Sequence, residues 1–317
     1  MIKDMNDKIK RLKFILFQGN GHVWMKFYLQ RRFLSLKSRS ALLKILLIYK
    51  KLLGFKLASN EARSCEGTTT LKQSGLFFLP SYLSKTAINE VVSYFEDKLI
   101  YDPYSDAKVF FSIPPESETQ KYHIAHHQAH DVLAAPHLME LANHPEILKI
   151  AEGFLGAKPT ISYISAWWSF ATNCSAMQAE NFHRDVDGIK FLKLFCFLTD
   201  VNNSNGPHVY VLNSASSPKF RDSITRYTDQ EIAEEFGEDS INVITGNAGT
   251  IFFEDTFGIH KGLKLNSGRR LVFQIIYSYG KLPYSPLSPI LDLSSVSSSL
   301  NFDPWINRVY YSNSSKL

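Results

Sequence analysis

The feature of this chain that most constrains its fold is the pair His183 and Asp185, followed far along the sequence by His260. Side chains two positions apart on an extended strand leave on the same face, so His183 and Asp185 can reach one metal ion while Arg184 points away. Two imidazoles and one carboxylate form a facial triad that suits divalent iron and leaves coordination positions open. Because His260 must come from elsewhere, we expect a fold in which distant strands meet.

The sequence around His260 is typical of two strands joined by a turn. Residues 249–257 are rich in β-branched and aromatic side chains, which predicts a strand that delivers His260 at its far end. Residues 264–268 indicate a turn, and residues 269–277 indicate a returning strand. We therefore expect a hairpin that brings His260 close to the two arginines at the start of the returning strand.

Alternation along this returning strand separates its two arginines. Arg270 shares a face with Val272 and Gln274, whereas Arg269 lies on the opposite face, which is almost wholly bulky and apolar. We assign Arg270 to the face of the metal site, where its planar guanidinium can bind a carboxylate through two parallel hydrogen bonds. Arg269 is the alternative.

Segments with strand character recur through the second half of the chain. Strands are expected at residues 162–172, 191–198, 209–212, 242–245, 249–257 and 270–279. Helices are expected near residues 84–98, within residues 130–156 and at residues 228–236. This order predicts a mainly β fold with flanking helices, in which the strands close into a jelly-roll, cupin-like barrel.

Three further segments carry patterns of a known family. Residues 71–80 end in an apolar strand followed by Leu-Pro, residues 144–148 open a helix, and residues 200–214 contain a Gly-Pro loop. Together with the triad, these segments resemble the phytanoyl-CoA dioxygenase family of iron(II)/2-oxoglutarate oxygenases. The resemblance covers residues 70–280 and implies a double-stranded β-helix core.

The resemblance also implies a role for each candidate site residue. His183, Asp185 and His260 match the family's iron ligands. Arg270 matches the arginine that binds 2-oxoglutarate. Gln178 resembles a polar position ahead of the metal strand, where it would contact 2-oxoglutarate or substrate, or else make a hydrogen bond within its own loop.

The carboxylate of Asp185 bears on the type of reaction. Related oxygenases that transfer halide have a small residue at this position, whereas the carboxylate is intact here. The resemblance therefore implies hydroxylation of an unactivated C–H bond in a small-molecule metabolite, with 2-oxoglutarate decarboxylated to succinate and CO2. The implied cofactors are Fe(II), 2-oxoglutarate and O2. The sequence does not select among acyl-CoA, amino-acid-like, sugar and natural-product substrates, and it leaves the oligomeric state open.

Changes of composition divide the chain into four parts. We predict a basic, helical N-terminal segment (1–58), a polar linker (59–70), the oxygenase domain (71–285) and a C-terminal tail or strap (286–317). The three cysteines have no metal-ligand spacing and cannot all pair, and the first residues show no secretory cleavage pattern. Both observations favour a cytoplasmic setting, with peripheral association with a membrane as a further expectation.

Charge is concentrated at the N-terminus. Residues 1–57 carry 14 Lys or Arg against two Asp, about +12, so the rest of this +5 chain is near −7. Residues 41–53 are typical of a basic amphipathic helix that lysines interrupt too often for it to span a bilayer. Such a helix packs on the barrel with its lysines in water, or attaches residues 1–57 to an anionic membrane surface or acidic partner. No nucleic-acid partner is expected, because the aromatic residues within residues 1–57 form no RNA-binding module.

Two other interpretations of the site stay open at this point. A catalytically silent jelly-roll protein would bind a membrane or an acidic partner through its basic N-terminus, but the intact set of site residues argues against it. A cupin-like zinc or manganese enzyme would keep the triad and would need no fixed arginine. Arg270 therefore discriminates between the oxygenase and the second alternative.

Overall fold

The computed structural model describes residues 21–105, 107–115, 121–221, 225–296 and 302–312. The α-helices in these ranges are α1 (Gly21–Gln30), α2 (Leu36–Leu52), α3 (Asn60–Ser64), α4 (Glu66–Gln73), α5 (Lys85–Glu96), α6 (Ala129–Ala134), α7 (Leu138–Ala142), α8 (Pro145–Leu155), α9 (Asp229–Phe236) and α10 (Pro304–Asn307). The strands are β1 (Leu76–Leu79), β2 (Ile100–Tyr101), β3 (Phe110–Phe111), β4 (Ile124–His127), β5 (Thr160–Phe170), β6 (His183–Arg184), β7 (Leu192–Phe197), β8 (His208–Val211), β9 (Ile241–Ile244), β10 (Ile251–Glu254), β11 (Ile259–Gly262), β12 (Arg269–Ser278), β13 (Leu291–Asp292) and β14 (Tyr311–Ser312).

Two sheets of antiparallel strands form the centre of the fold. The larger has the strand order β1-β10-β7-β12-β5-β4-β2-β3, and the smaller has the order β6-β11-β8-β9. From β5 to β12 the chain passes repeatedly from one sheet to the other, and this connectivity makes the two sheets a double-stranded β-helix. The predicted fold class is therefore confirmed, and each predicted strand has a counterpart displaced by a few residues at most.

The hairpin predicted around His260 is wrong. Strand β11 lies in the smaller sheet, where His260 is in register with His183 and Tyr210, whereas β12 lies in the larger sheet between β5 and β7. The cause is a tight turn between β10 and β11, in which the Gly258 amide donates to the Asp255 carbonyl at 2.7 Å. The turn divides one continuous strand-like segment between two sheets.

The two faces of the larger sheet have different partners. Leu271 and Phe273 of β12 belong to the main core, which the helices α5 to α8 close from outside, whereas Val272 packs with Phe195 inside the barrel. Strand β5 alternates in the same way, since Trp168 lies in the main core and the neighbouring tryptophan lines the barrel interior. The alternation predicted from the sequence therefore decides which side chains reach the interior.

Residues 59–70, for which a polar linker is expected, contain α3 and most of α4. The Ser59 hydroxyl accepts a hydrogen bond from the Ala62 amide and so caps α3. Thr68 is fully buried and donates to the Ile150 carbonyl of α8 at 3.3 Å. Residues 59–70 therefore form helical structure that packs on α8.

Residues 302–312, near the C-terminal end of the described ranges, pack against the larger sheet and its helices. The Tyr310 hydroxyl accepts a hydrogen bond from the Ile164 amide at 2.9 Å, and Asn307 donates to the Asn143 side chain at 2.7 Å. Ile306 and Val309 are buried in the main core. Residues 302–312 therefore contribute to the core.

Helices α1 and α2 pack on the barrel at the loop that follows the candidate metal strand. Gln30 donates to the Val186 carbonyl at 2.8 Å, and Arg39 donates to the carbonyls of Gly188 and Ile189. The Arg39 guanidinium also lies 4.2 Å from the centre of the Phe257 ring. Across the described ranges, no helix combines the length and the apolar character that crossing a bilayer requires.

Candidate metal centre

His183, Asp185 and His260 meet inside the barrel. Because β6 and β11 pair in register, the two imidazole rings lie side by side, with their centres 4.3 Å apart. The Asp185 carboxylate has Oδ2 3.2 Å from His260 Nε2 and Oδ1 3.8 Å from His183 Nε2. One ligand atom from each residue lies within 4.8 Å of the others, and the described ranges contain no further group of this kind.

The imidazole tautomers suit a metal. His183 Nδ1 lies 2.9 Å from the Asn181 carbonyl, and His260 Nδ1 lies 3.1 Å from the Gly258 carbonyl. A carbonyl oxygen only accepts hydrogen bonds, so each Nδ1 carries the proton in the neutral ring. Each Nε2 then keeps its lone pair, which is the arrangement found when backbone acceptors orient metal-binding histidines.

Burial and neighbouring charges set the protonation of the triad. Burial, with a contribution from His260, lowers the pKa of His183 to about 3, so this ring is neutral at physiological pH. Burial alone would raise the pKa of Asp185, but Lys193 and His260 together hold it well below its usual range. Burial likewise opposes the charge on His260, yet Asp185 and Glu254 raise the pKa of that ring. The site therefore offers an ionised carboxylate and at least one neutral imidazole.

Lys193 is a site residue that the motif does not indicate. Its Nζ lies 2.6 Å from Asp185 Oδ2 and 3.2 Å from Asp187 Oδ2, so one buried cation joins two partly buried carboxylates. The sequence does contain a signal, since Lys193 is the single charged residue in the apolar run 191–198. A lysine in such a strand must find a buried partner on the barrel side.

Arg270 and the triad line the same cavity, and this cavity has a volume of about 260 Å³. Its Nη2 donates to the Ser169 hydroxyl at 3.3 Å, and among the described residues its buried Nε has no hydrogen-bond partner. Burial lowers the pKa of Arg270 to about 10, although Glu180 opposes this shift, so the guanidinium is charged at neutral pH. A buried charged group with free donors facing a cavity suits an anionic ligand.

Arg269 has a different environment. Its Nη2 lies 2.7 Å from Glu96 Oε1, and its guanidinium lies 4.6 Å from the centre of the Trp168 ring. Both contacts are on the outer, helix-covered side of the larger sheet. The choice of Arg270 over Arg269 as the cavity-facing arginine therefore agrees with the geometry.

Gln178 is not brought together with the other candidate residues. It is exposed, its backbone has a φ of 45°, and its carbonyl accepts a hydrogen bond from Arg226 at 3.0 Å. Its neighbour Glu180 does line the cavity, where the carboxylate lies 2.9 Å from His123 Nδ1. A pattern of polar residues ahead of the metal strand does not show which of them points inward.

A second buried pair that the motif does not indicate lies beside the triad. Glu254 is completely buried at the end of β10, and its Oε2 lies 2.7 Å from His208 Nε2. The other carboxylate oxygen lies 3.8 Å from His260 Nδ1.

The remaining wall of the cavity mixes aromatic and polar side chains, among them Tyr163, Ser165 and Trp167 of β5.

Fold and site thus define a double-stranded β-helix protein with a His/Asp/His candidate metal centre. No protein-family model and no curated protein matches the chain. Among solved structures, EctD from S. alaskensis in its apoform is 14% identical, with 71% of this chain and 80% of that chain covered and a TM-score of 0.48. HygX from Streptomyces hygroscopicus with nickel, 2-oxoglutarate and hygromycin B bound is 13% identical, covering 77% and 97%, with a TM-score of 0.46. The non-heme alpha ketoglutarate dependent carbocyclase SnoK from nogalamycin biosynthesis is 21% identical, covering 68% and 85%, with a TM-score of 0.45. At these identities and scores the similarities do not indicate what the present chain binds.

Proposed function

We propose that the chain is a non-haem Fe(II)/2-oxoglutarate-dependent oxygenase that hydroxylates an unactivated C–H bond of a small molecule. One observation carries the proposal: a single cavity contains both the His183–Asp185–His260 triad and the incompletely paired guanidinium of Arg270. A 2-oxo acid with a second carboxylate needs both features, a metal for one end and a fixed cation for the other. A zinc or manganese cupin would need only the first.

The donor set fits the metal. His183 and His260 would each supply Nε2, because a backbone carbonyl holds Nδ1 of each ring, and Asp185 would supply a carboxylate oxygen. When bound, Fe(II) supplies the oxidative chemistry that couples decarboxylation of 2-oxoglutarate to attack on a C–H bond. Three protein ligands leave open positions for cosubstrate and oxygen.

The protein's own residues would prepare the site in two ways. Lys193 keeps Asp185 ionised and restricts its rotation, because its ammonium lies 2.6 Å from Oδ2. Arg270 would hold the distal carboxylate of 2-oxoglutarate, and its position deep in the cavity keeps water from competing for the guanidinium. The cavity of about 260 Å³ favours a small metabolite as substrate.

Anaerobic titration of the apoprotein with Fe(II) and then with 2-oxoglutarate tests this proposal. We expect the weak visible charge-transfer absorbance of the iron chelate in the wild-type protein, and none in His260→Ala. Arg270→Ala should weaken 2-oxoglutarate binding roughly 30-fold or more, since truncating one partner of a buried charge pair costs about 2 kcal/mol at least. Arg269→Ala is the matched control and should behave as wild type, because Arg269 contacts Glu96 outside the barrel.

The absence of the absorbance band in folded wild-type protein would contradict the proposal. Circular dichroism and thermal unfolding would establish that each variant is folded. Metal binding without any 2-oxoglutarate response would instead favour the other-metal alternative, and no binding of either would favour the silent jelly-roll protein.

A further inference from the structure

The outward face of α1 and α2 exposes an unusual number of large apolar side chains. Among the described residues, nine of the eighteen large hydrophobic side chains that are exposed lie between Met25 and Leu53. On α2, Ile45, Ile48 and Leu52 are 62%, 61% and 80% exposed. Their spacing puts all three on one face of the helix. Singly scattered apolar residues need no explanation, whereas a concentration of this kind marks an interaction surface.

Other apolar residues of the two helices line a cleft beside this exposed stripe. Leu29 and Phe33, from α1 and the turn after it, line the same cleft as Tyr49 and Leu53 at the end of α2. This cleft has a volume of about 580 Å³ and is separate from the candidate metal centre. Barrel residues 187–190 and 278–283 line the same cleft, so it lies where the two helices meet the barrel, and Ile45, Ile48 and Leu52 stand outside it on the free side of α2.

The barrel does not need this face for its own packing. The inner side of the two helices is already anchored by Gln30 and Arg39, which are buried and donate to the loop after Asp185. The outer side is therefore held facing away from the barrel.

Charge distinguishes among possible partners for this face. Residues 21–59 contain nine Lys or Arg and no Asp or Glu. Lys44 and Lys51 are exposed, and they stand four positions before and three positions after Ile48, beside the apolar stripe. A symmetric contact with a second copy would bring together two faces of the same sign, which opposes self-association through this face. A convex helix face that combines protruding apolar residues with lysines suits the boundary of an anionic bilayer.

We propose that the outer face of α1 and α2 docks the chain on a membrane that contains anionic lipids. Ile45, Ile48 and Leu52 insert among the acyl chains just below the headgroups, and Lys44 and Lys51 lie against the lipid phosphates. This proposal is independent of the chemistry at the metal centre.

Co-sedimentation of the full chain with lipid vesicles tests the proposal. The wild-type protein should bind vesicles of phosphatidylcholine with added phosphatidylserine, bind pure phosphatidylcholine vesicles more weakly, and dissociate as salt is raised. Ile48→Ser combined with Leu52→Ser should weaken binding at least about tenfold, because two exposed apolar side chains leave the acyl region. Lys44→Glu combined with Lys51→Glu should weaken it roughly 25-fold or more, since each lysine near an anionic surface contributes about a fivefold factor.

Matched controls distinguish vesicle binding through one defined face from binding that depends on net charge alone. Lys85→Glu combined with Lys121→Glu makes the same change in charge at exposed sites outside α1 and α2, and Val243→Ser removes an exposed apolar residue from β9. Both controls should keep most of the vesicle binding.

Three results would overturn the proposal. The first is wild-type binding that is no stronger with phosphatidylserine than without it. The second is an equal loss of binding in the Lys85→Glu/Lys121→Glu control. The third is a wild-type dimer in analytical ultracentrifugation that Ile48→Ser/Leu52→Ser dissociates, which would make the face a contact between copies. None of these measurements depends on catalytic activity.

Discussion

Two buried cations reach the same cavity, and they differ in how their charge is neutralised. Lys193 lies within 3.2 Å of two carboxylates, those of Asp185 and Asp187. Arg270 has one hydrogen bond to a serine hydroxyl. Because Lys193 is already neutralised within the protein, Arg270 is the cation that remains to recognise an anionic ligand.

Arg270→Lys should separate charge from geometry in that recognition. A lysine keeps the positive charge but loses the planar pair of parallel donors, so we expect 2-oxoglutarate affinity between those of the wild type and Arg270→Ala. The dissociation constant from the anaerobic titration measures this directly. Equal affinity of Arg270→Lys and wild type would contradict a two-point contact.

Lys193→Met should destabilise the metal-free protein more than the metal-loaded protein. Removing Lys193 leaves the partly buried carboxylates of Asp185 and Asp187 without their cation, at a cost of up to roughly 3–5 kcal/mol, and a bound divalent metal restores part of the missing positive charge. The metal-dependent increase in Tm, measured with and without Fe(II) under anaerobic conditions, should therefore be larger than in the wild type. An equal or smaller increase would show that Lys193 does not neutralise the metal ligand.

At the scale of elements, the loop after the metal strand is held from outside by α2. Arg39 donates to the carbonyls of Gly188 and Ile189, which is the arrangement expected when a helix docks on an irregular segment with unpaired backbone acceptors. The basic N-terminal region therefore has a structural inner side as well as the exposed face proposed to contact lipid.

Arg39→Met should lower the free energy of unfolding by about 1–3 kcal/mol, because partly buried carbonyls would lose their donor. Denaturant unfolding followed by circular dichroism measures the change. Lys44→Met is the control on the same helix, since Lys44 is exposed and its replacement should change stability by about 0.5 kcal/mol at most. Similar effects for the two variants would contradict the proposed anchoring role.

Elements also show the limits of prediction from sequence. Period-two patterns in the sequence predict the strands of the barrel and the inward orientation of Arg270. The spacing of the motif predicts that His183 and Asp185 lie on one face of a strand. The pairing of β11 does not follow from these patterns, because a turn of four residues at Asp255–Gly258 moves it to the other sheet, within a segment whose β-branched and aromatic residues predict one strand. Lys193 also lay outside the motif, because its partners depend on which strands become neighbours.

At the scale of the whole molecule, the protein buries neutral histidines, and this makes its stability depend on pH. Burial, together with His126, lowers the pKa of His127 from the ordinary 6.5 to about 4. The unfolded chain therefore takes up this proton first as the pH falls. Stability is full above pH 6.5 and is lost progressively towards pH 4, by roughly 3 kcal/mol for this residue.

His127→Phe should flatten this part of the pH profile, because phenylalanine takes up no proton in the unfolded state and fits the aromatic contact with Phe95. Free energies of unfolding at a series of pH values from 7 to 4 provide the test. An unchanged slope in the variant would contradict the assignment. His130→Phe makes the same substitution at an exposed position and is the control for the change of side chain itself.

We propose that His183, Asp185 and His260 hold iron and that Arg270 holds the far end of 2-oxoglutarate. Anomalous diffraction at the iron edge, from crystals loaded with Fe(II) and 2-oxoglutarate without oxygen, tests it most directly. We predict one strong peak bounded by the Nε2 atoms of both histidines and the Asp185 carboxylate, with cosubstrate density that continues to the Arg270 guanidinium. A peak elsewhere, or cosubstrate density that does not reach Arg270, would contradict the account.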